Sequence, residues 1–121
     1  MAIVRRTLSG SSFGGGILIT GTAATALATV HQGPANTSSW DEVYVWASNH
    51  ASATYCHIVT GFGSSGTNNY IHSFLAPREN KLILQGQTLL GSTSASDSWI
   101  SVFSLSGGTS VSMFGYVNRI T

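Results

Sequence analysis

Residues 41–66, DEVYVWASNHASATYCHIVTGFGSSG, hold two carboxylates, two histidines, the one cysteine of the chain and a run of glycines. Cys56 beside His57 has the composition of a nucleophile and its base. Neighbours along a strand point to opposite faces, however, so a strand here keeps the two side chains apart. Cys56 then reads as a small buried hydrophobe, and a single cysteine removes both an internal disulfide and a multi-cysteine zinc pattern. The segment GFGSSG, residues 61–66, matches the spacing G-x-G-x-x-G. A dinucleotide fingerprint also requires a helix opening at the third glycine and an acid about 20 positions on. Gly66 leads instead into TNNYIHSF, which reads as a strand, and no acid lies that far beyond it. The match is expected to be a hairpin loop.

The other chemistry-bearing types are no better arranged. GSSFGGG lacks the Gly-Lys-Ser/Thr ending of a phosphate loop. His31, His50, His57 and His72 form no HxxxH pair. His57 and His72 belong to successive expected strands and can lie side by side across a hairpin, but a metal needs a third ligand, and the nearest, Cys56, falls on the wrong face. Asp41 and Glu42 are adjacent and diverge if extended, while Glu79 sits among Arg78 and Lys81 in the charged turn PRENK. No two acids are spaced as a general acid and base, and no GxSxG elbow occurs. The expectation is a protein without catalytic residues, metal site or cofactor, hence not an enzyme.

Composition narrows the setting further. Charged residues make up 7% of the 121 and the formal charge is +1, too little to steer a polyanion, so nucleic acid is not an expected partner. Ser (19) and Thr (13) replace the missing charges, giving a surface kept wet by neutral hydroxyls with little charge repulsion between copies. VRRTLSGSSFGGGILITGTAATALA imitates an exported precursor, with twin arginines and the small-residue run Ala26–Ala28. Its apolar part is diluted by Gly, Ser and Thr, and cleavage would remove an expected strand. No stretch has the 18 or so apolar residues that cross a bilayer as a helix, and no membrane partner is expected. Synthesis in a host cytoplasm followed by assembly is the expected route.

Helical periodicity is missing, whereas short alternating runs recur. They predict strands near 16–20, 24–31, 41–48, 53–62, 70–76, 81–86, 98–105 and 110–118. The connections carry turn chemistry, such as the Gly-Pro of HQGPANTSS and the Gly-Gly of SGGT. Eight strands so punctuated describe an all-β fold, a single antiparallel β-sandwich arranged as an eight-stranded jelly roll over residues 16–121. Residues 1–15 lie outside the pattern and read as a flexible N-terminal arm.

Several strands are apolar on both faces, more than a lone sandwich needs. Val43, Val45 and Ala47 oppose Tyr44 and Trp46, and Val111, Met113 and Val117 oppose Phe114 and Tyr116. Contiguous apolar patches mark contact surfaces. Tyr44, Trp46, Phe114 and Tyr116 are therefore the expected subunit interface of a homo-oligomer.

The segments TSSWDEVYVWASNHASATYCHIV, FLAPRENKLILQGQTL and the closing FGYVNRIT together resemble small β-proteins encoded beside structural genes in tailed bacteriophages. In those, a DEVYLWASN-like strand and a terminal GYVNRI-like strand bracket the domain. The resemblance covers roughly residues 38–121. Such proteins look like capsid decoration, or cement, proteins. The resemblance implies a jelly-roll domain, often trimeric, whose N-terminal arm grips the major capsid protein on the outer capsid surface of the virion, and it implies no catalytic residues. On the arm, Arg5 and Arg6 can pair with capsid carboxylates, and Ile3, Val4 and Leu8 can add apolar anchors or a strand to a partner's sheet. The alternative is a carbohydrate-binding, lectin-like module of a phage tail or surface adhesin, with Trp40, Tyr70 and Trp99 as glycan platforms.

Overall fold

The computed structural model describes residues 1–23, 27–63, 69–94, 97–106 and 110–121. Every regular element among them is a strand: β1 (Ile3–Thr7), β2 (Ile17–Leu18), β3 (Ala28–Gln32), β4 (Trp40–Asn49), β5 (Cys56–Phe62), β6 (Tyr70–Leu75), β7 (Asn80–Leu90), β8 (Trp99–Ser106) and β9 (Val111–Ile120). The eight expected strands all have a counterpart. Residues 24–26 of the expected 24–31 strand, residues 64–66 of GFGSSG and the Gly-Gly of SGGT lie outside the described residues.

Two antiparallel sheets form a β-sandwich. One has the order β1-β9-β4-β7, with β2 also on β9, and the other the order β3-β8-β5-β6. β1 pairs with Tyr116 to Ile120 of β9 and β2 with Ser112 and Met113, while β4 occupies the opposite edge of β9. β1 and β2 thus share one strand position, split by the loop 8–16. Counted this way there are eight positions, four per sheet, in the interleaved order of a jelly roll.

The core lies between the sheets and follows the strand period of two. Val43, Val45 and Ala47 of β4, Ile58 of β5, Ile100 and Val102 of β8, and Met113 and Val117 of β9 are all buried there. Cys56 belongs to the same cluster. His57, the next residue, is on the other face, as strand alternation requires.

The structure corrects the reading of residues 1–15 as a free arm. Residues 3–7 are β1, hydrogen-bonded in register to β9 from Ile3↔Ile120 to Thr7↔Tyr116. The backbone pairs extend to Ala2 and Thr121, which exchange both hydrogen bonds. Leu8 is 1% exposed and belongs to the core, which withdraws it as a capsid anchor. All five side chains of β1 are exposed. An edge strand held by one ladder, with no buried face, leaves no alternation for sequence reading to detect.

Candidate functional site

Two regions carry the side chains with chemical character, and β4 supplies both. On its inward face Asp41 precedes Val43, so an acid enters the space between the sheets at one end of the sandwich. It is 0% exposed. A buried carboxylate requires partners, and Arg119 provides a two-pronged contact: Nε donates to Oδ1 and Nη2 to Oδ2, each at 2.8 Å. Asp41 and Arg119 face each other directly in the β4–β9 ladder.

The third partner comes from the opposite sheet. In β3 the register against β8 shifts between Thr29 and His31, a bulge that buries Val30 and His31 alike. His31 Nδ1 accepts from the Ser9 backbone N–H at 3.0 Å, which leaves the ring proton on Nε2 to donate to Asp41 Oδ2 at 2.6 Å. Arg119, Asp41, His31 and Ser9 therefore tie β9, β4, β3 and the loop after β1 into one chain. Burial by itself raises the Asp41 carboxyl, but the hydrogen bonds from Arg119 and His31 and the Arg119 charge hold it below the ordinary value of 3.8. The hydrogen bonds to Asp41 push Arg119 the other way, upward, against the opposing effect of its own burial.

The cluster superficially offers serine, histidine and aspartate. Both nitrogens of His31 are engaged, however, one by a backbone amide and one by Asp41, so no lone pair remains to take a proton from a hydroxyl. Its chemistry is that of a lock between sheets. An open hollow of about 540 Å³ lies beside it, lined by Arg6, Thr7, Ser9, His31, Gln32 and Arg119 among others. Arg6 and Arg5 have parted: Arg6 faces the hollow, and Arg5 lies on the outer face of the five-stranded sheet.

That outer face is the second region. Tyr44 and Tyr116 are direct cross-strand partners, with rings stacked at 4.9 Å and 16°. Trp46 and Phe114 are partners two residues along, and the Trp46 ring lies 6.2 Å from that of Tyr116. Arg5 places its guanidinium 4.4 Å above the Tyr116 ring and reaches Asn118 Oδ1 at 3.4 Å. The strip thus crosses β1, β9 and β4, with Leu82 of β7 opposite Trp46 at its edge. Trp46, Phe114 and Leu82 are 37%, 40% and 38% exposed. A hollow of about 420 Å³ opens between Trp46, Phe114, Ser48 and Asn80.

Two glycines shape the strip. A Cβ on Gly16 would fall 2.6 Å from the Phe114 ring, so this ring lies directly on the loop backbone before β2. Gly86 is the extra residue where the β4–β7 register shifts, with φ +70°, and a Cβ there would approach the Tyr44 hydroxyl at 3.3 Å. Gly16, the last glycine of GSSFGGG, therefore gives an aromatic ring its seat on the backbone.

The structure brings all four expected interface residues, Tyr44, Trp46, Phe114 and Tyr116, onto one face and adds Arg5 to them. It places Ile3 and Val4 exposed on the edge strand beside them. It does not assemble Trp40, Tyr70 and Trp99. Trp40 is on the outer face of the five-stranded sheet, while Tyr70 and Trp99 are on that of the four-stranded sheet, where Tyr70 packs edge-on against Phe103 at 5.9 Å. The Trp99 indole N–H is shielded from solvent and has no acceptor among the described residues.

The Asp41 lock escaped sequence reading, which treated Asp41 only as a diverging neighbour of Glu42. A signal existed. Asp41 shares the phase of Val43 and Val45, and Arg119 that of Val117, so each is a charge on an apolar face and each calls for the other. Nothing local announced the bulge that turns His31 inward.

No protein-family model matches the chain, and no curated protein matches it significantly. Among solved structures it is similar to one described as Family 16 Carbohydrate Binding Module-2, at 14% identity and a TM-score of 0.31, over 95% of this chain and 84% of that one. A likeness that distant carries no argument about function.

Proposed function

We propose that this protein is a non-catalytic structural component that works by docking, with the aromatic outer face of the five-stranded sheet as its contact surface. The observation that carries the reading is the Tyr44–Tyr116 and Trp46–Phe114 double pair, which leaves large rings half-covered on a face with few charges. Covering the remaining surface of each ring is worth about 1 kcal/mol. Four such rings in one patch are enough to decide an association equilibrium. The engaged nitrogens of His31 and the small number of ionisable groups support the absence of catalysis. The resemblance of the DEVYVWASN and GYVNRIT strands to phage proteins supports a finer reading: a capsid decoration protein, a homo-oligomer with a trimer favoured, seated on the major capsid protein at the outer surface of a virion. Arg5, Arg6, Ile3 and Val4, held on an edge strand, are then available to capsid carboxylates and apolar groups.

The test is sedimentation velocity of the purified chain at micromolar concentration, followed by co-sedimentation with heads of the virus that encodes it. A homo-oligomer that binds heads, and that Trp46→Ser with Tyr116→Ser reduces to a folded monomer, supports the reading. A wild-type monomer that ignores heads overturns it.

A second reading, carbohydrate binding, rests on one observation: the partly exposed Trp46 and Phe114 rings border a hollow of about 420 Å³ together with Ser48 and Asn80, which sets an apolar platform beside hydrogen-bonding groups. This platform replaces the expected Trp40, Tyr70 and Trp99 set. Binding on a glycan array that Trp46→Ala abolishes would select it.

A further inference from the structure

We propose that His57 and His72 form a two-histidine site for a divalent transition-metal ion of the zinc or copper(II) class, on the outer face of the four-stranded sheet. In the β5–β6 ladder His57 is opposite Phe74 and Val59 is opposite His72, so the two histidines are diagonal neighbours on one face. Their facing nitrogens, Nε2 of His57 and Nδ1 of His72, are 2.8 Å apart. Phe74 stacks on the His57 ring at 4.3 Å and 25°, which limits that ring's rotation.

At 2.8 Å one proton lies between the two nitrogens, so one lone pair already points at the other ring. If that proton sits on the far nitrogen of its own ring, both rings stay neutral and two lone pairs converge on one point. A zinc ion held by two imidazoles at about 2.0–2.1 Å in tetrahedral geometry sets its nitrogens roughly 3.4 Å apart. The required opening is about 0.6 Å. His72 is exposed and can supply it by a small side-chain rotation.

The other two histidines lack this arrangement. His31 has both nitrogens engaged, and His50 is bonded through Nε2 to the Ser112 hydroxyl at 2.9 Å. No group of three or more His, Cys, Asp or Glu occurs among the described residues, so the third ligand that a bound ion requires would be water rather than a side chain. The site is consequently open to a further ligand, and its affinity is that of a two-ligand surface site. The inference stands independently of docking through the aromatic face.

The experiment is titration of the full chain with zinc chloride, followed by NMR of the imidazole nitrogens and of the backbone amides. His57 and His72 are expected to shift together and saturate at one ion per chain, while His31 and His50 stay in place. His72→Ala and His72→Gln, at an exposed position, should each weaken binding at least about tenfold with an unchanged amide spectrum, a loss of some 1.4 kcal/mol. Zinc affinity retained in both variants, a response confined to His50 or His31, or no response at millimolar zinc would overturn the assignment.

Discussion

The two faces of β4 make opposite use of one ten-residue strand. Its inward residues read Asp41, Val43, Val45, Ala47, Asn49: a polar residue at each end and three small apolar ones between. Asp41 closes one end through Arg119 and His31. Asn49 closes the other, donating from Nδ2 to the carbonyls of Thr54 and Ala76 and accepting at Oδ1 from the Ala51 amide and the Ser110 hydroxyl. Among its outward residues Tyr44 and Trp46 make ring contacts and Ser48 donates to Asn80 Oδ1, and all five, with Trp40 and Glu42, remain partly open to solvent. The inward face has spent its polar groups on internal partners and holds the fold. The outward face has not spent its surface, and is where a partner can add stabilisation. The contrast shows that the residues of β4 with the most catalytic-looking chemistry serve the fold, whereas its chemically plain rings stay partly exposed.

That division predicts steeply unequal mutational costs. Arg119→Met strands the Asp41 charge between the sheets and should cost about 4 kcal/mol in urea denaturation. The double change Asp41→Leu with Arg119→Met should recover much of that loss, because the penalty is an unpaired buried charge. Similar losses in the single and double variants would show that the pair itself, and not its desolvated charge, is what matters. Asn49→Ala at the other end removes four hydrogen bonds at a buried position and should cost about 3 kcal/mol by the same measurement.

Acid should act on the Asp41 end. The folded carboxyl of Asp41 is depressed, so the stability it contributes is complete above its ordinary value of 3.8 and is lost as the pH falls below that toward the lower folded value. Thermal unfolding between pH 5 and pH 2 should therefore lose its steepest acid dependence in Asp41→Asn. An unchanged profile would move the acid sensitivity elsewhere.

The smallest stability effect belongs to the outward face. Tyr44→Ser removes a cross-strand aromatic pair and should cost about 1 kcal/mol or less, while weakening self-association, read by sedimentation, tenfold or more. A large loss of stability with unchanged association would reverse the roles given to the two faces.

Much of this architecture was legible, for a local reason. Alternation in DEVYVWASN and in SVSMFGYVN states which residues share a face, and the structure puts Val43, Val45 and Ala47 inside with Tyr44 and Trp46 outside. Turn residues between such runs placed eight strands in a sandwich. Three features stayed hidden, each for a physical reason. β1 has no buried side and so no periodic signature. The bulge in β3 adds a residue that cancels the expected phase of His31. The split of one strand position into β1 and β2 depends on which lengths of β9 are free to pair.

By itself, then, the sequence determined the strands, their inward and outward residues and the scarcity of charge, because each is a property of consecutive residues. Only the tertiary structure decided that Arg119 meets Asp41 across 78 positions, that a bulge brings His31 to the same carboxylate, and that Arg5 lies over Tyr116. Those meetings depend on sheet order and register, which are set by the sum of many long-range contacts and are written in no single stretch of the chain.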